Sequence, residues 1–227
     1  MKLSIIIPAY NEDRTLQQIV QKVLSLKTVP SKEVIIVNDG SRDNTPKILK
    51  SLSSEKTVKI ITNPKNLGKG ASVKKALKIA SGDVILIQDA DLEYEPKDIP
   101  QILKMFNNKE VKVVYGSRIL GKNPISHWTF NLGGRAITLV TNLLFQTKIT
   151  DEPTGYKAFR KEVVKNINLK SKGFEFCPEI TAKIAKQKIK IWEVPISYHP
   201  RPVSEKKIKW QDGLAAIFYL VKYRFTN

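Results

Sequence analysis

Short apolar runs alternate with stretches of helical period through the first half of the chain. Residues 3–7 read as a buried strand, and Leu16, Ile19, Val20, Val23 and Leu24 follow at helical spacing. Residues 34–37, 58–62, 84–87 and 111–115 read as further strands, and 45–52, 71–80 and 99–106 as the helices between and after them. Strands that are apolar throughout, each followed by a helix, predict an α/β fold whose parallel sheet is covered on both faces. Beyond residue 120 the alternation stops. There 130–145, 179–186 and 212–223 read as helices, 157–160 as a short strand and 191–194 as extended chain. No linker interrupts this pattern, which predicts one domain over 1–227.

Right-handed crossovers place the carboxyl ends of parallel strands on one edge, where ligands bind in such sheets. The polar motifs fall on that edge. The first strand leads to Pro8-Ala9-Tyr10-Asn11-Glu12 and the second to Asn38-Asp39-Gly40-Ser41. The third leads to the segment ending in Gly68-Lys69-Gly70, the fourth to Gln88-Asp89-Ala90-Asp91-Leu92-Glu93, and the fifth to Gly116-Ser117-Arg118. Any one of these could be a polar turn, but turns alone do not account for one after every strand. If extended chain continues past the fourth strand, Asp89, Asp91 and Glu93 point the same way. Three neighbouring acids need a cation, and a hard divalent ion carrying a nucleotide diphosphate suits their oxygens.

Composition narrows the partner. The chain has 227 residues, and 39 Lys+Arg against 21 Asp+Glu give a net charge of +18, which favours an anionic ligand or surface. Neither an unbroken basic arm nor basic residues interleaved with aromatics is present, so nucleic acid is disfavoured. The single cysteine, Cys177, excludes an intrachain disulfide and reads as a small core residue. No leader peptide is recognisable, and no apolar run reaches the roughly 20 residues of a spanning helix.

The ordered set Ile-Ile-Pro-Ala-Tyr-Asn-Glu, Val-Asn-Asp-Gly-Ser-Arg-Asp-Asn-Thr, Asn-Leu-Gly-Lys-Gly, Asp-Ala-Asp and Gly-Ser-Arg resembles the family 2 glycosyltransferases, which have the GT-A fold. Within that family, Thr154-Gly155-Tyr156-Lys157-Ala158-Phe159-Arg160 and Arg201-x-x-Ser204-Glu205-Lys206-Lys207 are similar to the dolichyl- and polyprenyl-phosphate mannose synthase group. The resemblance implies a nucleotide half over 1–118 and an acceptor half over 119–227. It implies a donor nucleotide site of Pro8, Ala9, Tyr10, Asn11, Glu12, Asp39, Lys69, Asp89 and Ala90. It implies a Mg²⁺ or Mn²⁺ site of Asp89, Asp91 and Glu93, where the group commonly has Gln at the last position. The acceptor phosphate would meet Arg118, Arg135, Arg201 and Lys207. The loop at 201–207 departs from the group's Gly-Glu-Ser-Lys, with Ser204 for Gly and Lys206 for Ser.

The implied reaction is inverting transfer of mannose or glucose, from GDP-mannose or UDP-glucose, to a polyprenyl phosphate, with Asp91, Arg118 and Asp151 in catalytic roles. A phosphate acceptor is already largely dianionic at neutral pH and needs positive charge more than a base. A saccharide or protein hydroxyl would need a base, and Asp151 and Glu152 are the carboxylates placed to test for one. His127 and His199 read as structural. The basic residues Lys206, Lys207, Lys209, Lys222 and Arg224 flank Trp210 and the apolar Leu214, Ile217, Phe218, Leu220 and Val221. This pattern fits either a helix at an anionic membrane surface or one packed on the domain's own core. The implied location is cytoplasmic, peripheral to the membrane.

Overall fold

The computed structural model describes residues 1–29, 31–121, 123–124, 128–202, 204, 207 and 210–226. Seven strands form one sheet in the order β3-β2-β1-β4-β6-β5-β7. They are β1 (Leu3–Ala9), β2 (Lys32–Asn38), β3 (Val58–Thr62), β4 (Val84–Ile87), β5 (Val113–Ser117), β6 (Lys157–Arg160) and β7 (Ile191–Pro195). The helices are α1 (Leu16–Leu24), α2 (Thr45–Leu52), α3 (Lys69–Ile79), α4 (Ile99–Met105), α5 (Trp128–Phe145), α6 (Lys161–Lys165), α7 (Phe176–Lys186) and α8 (Trp210–Phe225).

The sheet is two-sided because its central strands are apolar at every position. Strand side chains alternate faces. Ile5 and Ile7 therefore meet α1, α2 and α4 on one side, while Ile6 meets α3, α6 and α7 on the other. β1 pairs in parallel with both β2 and β4, so the motifs after these strands share one edge.

The short strand at 157–160 forms, but runs antiparallel to both neighbours, β4 and β5. The reason is geometric: Tyr115, near the end of β5, lies opposite Lys157, the first residue of β6. The chain thus re-enters the sheet from the edge it has just left. The fifth strand starts two residues later than its apolar run. Val111 turns its N–H back to the Asn108 carbonyl, and its own carbonyl receives Arg160 Nε. The two partners of β5, β6 and β7, both follow residue 118, so a division there separates roles within one sheet and does not mark a fold boundary. The short helix α6 has no counterpart in the sequence reading.

Candidate active site

The loops after β1 and β2 interlock. Asn11 Oδ1 receives the Arg42 N–H, Asp13 N–H donates to Asp43, and Glu12 N–H donates to Thr45 Oγ1. Gly40 turns at φ +71°, and any Cβ there would collide with the Lys65 backbone. A cleft of about 460 Å³ opens beside this junction, lined by Tyr10, Asn38, Arg42, Thr62, Lys65 and Asn66 among others. Tyr10 thus stands where a flat base could stack, while Ala9 and Ala90 are buried beneath the edge and Pro8 is half-buried.

Asp39 is buried, and its carboxylate accepts from Asn63 Nδ2 and from the N–H groups of Leu67 and Gly68. Those bonds organise the third loop.

The acids after β4 are arranged differently from the extended-chain expectation. Ala90 and Asp91 form a turn, and Leu92 adopts φ +62°, a left-handed conformation unusual for a leucine. Strain of this kind costs on the order of 1–3 kcal/mol and collects at functional loops. It also breaks the alternation, and Glu93 shares the Arg201 guanidinium with Asp91, its Oε1 lying 3.8 Å from Arg201 Nε. Among the described residues no group of three or more His, Cys, Asp or Glu is placed to hold a metal ion. Asp89 Oδ1 pairs with Lys69 Nζ at 2.5 Å, and Asp91 Oδ2 with Arg201 Nη2 at 2.8 Å. Glu93 instead accepts the Arg201 backbone N–H at 2.9 Å and the Tyr198 hydroxyl at 3.2 Å. Burial and the charge of Asp89 push the Asp91 carboxyl up to about 7, against the pull of Arg201.

A divalent ion of the Mg²⁺ type fits this arrangement without a third protein ligand. It is ordinarily held by one or two carboxylates plus the substrate's own phosphates. Asp89 and Asp91 supply hard oxygens, and Asp89 is fixed closely enough that a Cβ on Gly155 would overlap its Oδ2.

Arg118 and Asp151 form a bidentate pair. Arg118 Nε and Nη2 donate to the two carboxylate oxygens at 2.8 and 2.7 Å, and the Arg118 backbone N–H adds a third bond. Asp151 is 3% exposed, and both its oxygens accept from Arg118. Glu152 is fully buried beside Lys157 and Thr181. Arg135 stands exposed on α5 with Asn131 as its hydrogen-bond partner, apart from Arg118. Arg201 and Lys207 lie over the loop after β1. Arg201 Nη1 is 3.8 Å from Glu12, while Lys207 donates to the Tyr10 and Asn11 carbonyls and to Glu12. Glu12 also caps α1 through Thr15 and Leu16. The His199 backbone N–H donates to the Glu93 carbonyl. His127, Glu205, Lys206 and Lys209 lie outside the described residues.

The sequence reading missed Tyr198, whose ring lies 5.2 Å from the Arg118 guanidinium. It also missed Asn123, which receives the Tyr198 N–H and donates to the Arg118 carbonyl. Only their nearness in sequence to Arg118 and Arg201 could have drawn notice to them.

Known proteins share this arrangement of elements. The glucosyl-3-phosphoglycerate synthase of Mycobacterium tuberculosis superposes with a TM-score of 0.78 at 16% identity, covering 98% of this chain and 79% of that one. The same enzyme has been seen with Mn²⁺, UDP-glucose and phosphoglyceric acid. The fold is GT-A. A dolichol-phosphate mannosyltransferase of Pyrococcus furiosus is 32% identical over 98% of this chain, which spans 64% of that relative's length. A UDP-N-acetylglucosamine–dolichyl-phosphate N-acetylglucosaminyltransferase of Methanococcus voltae is 33% identical over 85% of this chain and 83% of its own. The glycosyl transferase family 2 profile matches residues 4–167, which take in every strand-end motif and the Arg118–Asp151 pair. With those residues assembled on one sheet edge, the chain belongs to glycosyl transferase family 2.

Proposed function

We propose that the protein transfers a hexose from a nucleotide-diphosphate sugar to a polyprenyl phosphate, with inversion at the anomeric carbon. The observation that carries this is the Arg118–Asp151 pair. The carboxylate nearest the acceptor side is spent on orienting an arginine, which suits a phosphate acceptor that needs charge and no base.

The cleft beside Tyr10 receives the base, and the Gly68-Lys69 loop held by Asp39 lies toward the diphosphate. Asp89 and Asp91 would hold Mg²⁺ or Mn²⁺, which offsets charge developing on the departing nucleotide diphosphate. Lys69 adds a second positive charge beside Asp89. A phosphate oxygen of the acceptor, steered by Arg118, attacks the anomeric carbon as the bond to the diphosphate oxygen breaks. One displacement of an α-linked donor gives a β-linked product. GDP-mannose is the favoured donor, with UDP-sugars as the alternative; the Pyrococcus furiosus relative is a mannosyltransferase and the Methanococcus voltae relative takes UDP-N-acetylglucosamine.

A lipid acceptor requires a membrane surface. α8 packs inward through Ala216, Leu220 and Tyr223, while Trp210, Leu214, Phe218 and Phe225 face outward. α5, packed beside it, exposes Trp128, Leu132, Leu139 and Leu143 in the same manner. One face of α8 thus packs on the domain, and the other leaves apolar side chains exposed. Among the described residues no helix is long and apolar enough to cross a membrane. The exposed stripes and basic flank support docking at an anionic interface.

The test is incubation with labelled GDP-mannose, UDP-glucose or UDP-N-acetylglucosamine, a polyprenyl phosphate, and Mg²⁺ or Mn²⁺. Label should move into the organic phase with one donor and depend on the metal. An aqueous label with every donor, under conditions where the protein binds nucleotide, would sink the proposal.

A further inference from the structure

We propose that Glu93 and Tyr198 are positioning residues. They brace the segment carrying Arg201 against the acidic turn and set Arg118 and Arg201 at a fixed offset from Asp91. For the acceptor the inference rests on the reading above; the brace itself does not.

Four contacts build the brace. The Glu93 side chain receives the backbone N–H of Arg201 on Oε1 and the Tyr198 hydroxyl on Oε2. The Glu93 carbonyl receives the His199 N–H at 2.8 Å, and Tyr94 forms a β-bridge with Tyr198. Residues 93–94 and 198–201 thus run together as a short ladder closed by one carboxylate. The Glu93 N–H donates to Asp91 Oδ1 at 3.1 Å, tying the ladder to an aspartate on the donor side. On the other side the Tyr198 ring lies under the Arg118 guanidinium. A continuous path therefore joins Asp91 to Glu93, Tyr198, Arg118 and Asp151, from donor to acceptor.

The left-handed Leu92 gives this path its physical cause. The Arg201 side chain already pairs with Asp91, and the left-handed turn sets Glu93 beside it, where its carboxylate takes the Arg201 backbone N–H and the Tyr198 hydroxyl. The brace contributes order, because the cation–π contact holds Arg118 only while Tyr198 itself is held.

The test uses Glu93→Ala, Glu93→Gln and Tyr198→Phe in the full chain with three readouts. These are Mn²⁺ affinity in the presence of GDP or UDP, amide exchange at Arg201, and the acceptor KM separated from kcat. Loss of a hydrogen bond to a charged acceptor should speed Arg201 amide exchange about tenfold or more in Glu93→Ala and raise acceptor KM by a similar factor. Mn²⁺ affinity should stay within about threefold, a difference below the worth of one such bond. Glu93→Gln, which keeps one acceptor oxygen, should restore the Arg201 protection. Tyr198→Phe should raise acceptor KM by a smaller factor, since its ring still lies under Arg118. The proposal is overturned if Glu93→Ala weakens Mn²⁺ binding more than about tenfold while leaving Arg201 exchange unchanged. If the wild-type protein transfers no sugar to a polyprenyl phosphate, the functional reading fails, and the exchange and Mn²⁺ arms still decide the brace.

Discussion

At the scale of single residues, the cations at the sheet edge are paired with acids. Asp151 serves Arg118, Asp89 serves Lys69, and Asp91 and Glu93 serve Arg201. Asp151→Asn should therefore leave donor affinity unchanged while lowering kcat/KM for the acceptor roughly tenfold to a hundredfold, the worth of a charged hydrogen bond. Calorimetry with a nucleotide diphosphate and acceptor kinetics on the same protein would check both halves. Arg118→Lys should behave nearly as badly, because an ammonium cannot make the bidentate contact. Gly155→Ala is a steric probe: its methyl group must displace Asp89 or Tyr94. Overpacking of this kind costs about 1–3 kcal/mol in chemical denaturation, and Mn²⁺ affinity should fall with it. Residue identity could be read from the chain, but carboxylate orientation could not. The alternation that groups Asp89, Asp91 and Glu93 assumes extended chain, and one left-handed leucine removes that assumption.

At the scale of elements, the apolar runs specified the parallel strands because burial on both faces leaves no other pattern. β6 was legible as a strand but not as an antiparallel one. Its direction is set by where the preceding helix and loop deliver the chain, which is a tertiary fact. The long helices began a few residues earlier than their apolar periodicity, as α3 at Lys69 and α7 at Phe176 show. Strand ends also carry buried polar ties. Glu33 on β2 is 4% exposed; burial would raise its carboxyl, but bonds from Lys59, Ser4 and Ser81 outweigh that and hold it at about 2. A carboxyl depressed in the folded state stabilises above its ordinary value of 4.5 and loses that contribution as pH falls toward about 2. Urea midpoints measured across that window should decline, and Glu33→Gln should start lower and decline less steeply.

At the scale of the whole molecule, the proposed function assigns the sheet edge to a soluble donor and the α5–α8 pair to a lipid-borne acceptor. The net charge of +18 suits an anionic interface. Co-sedimentation with vesicles containing anionic lipid should detect binding that weakens with added salt. Phe218→Asp should reduce partitioning about tenfold or more, given roughly 1.5–3 kcal/mol for burying one large apolar side chain. Nucleotide binding should be untouched, since Phe218 lies on the outward face of α8. The placement of β6 between β4 and β5 has a consequence for biosynthesis. A ribosome delivers the strands in chain order, so β4 waits with one open edge, and β5 with no partner at all, until the residues of β6 have emerged. During that interval the nascent chain displays one half-paired and one unpaired apolar strand, the kind of surface on which aggregation starts. The sheet closes only when its central late strand arrives, which makes the second half of the chain the step that commits the first half to its fold.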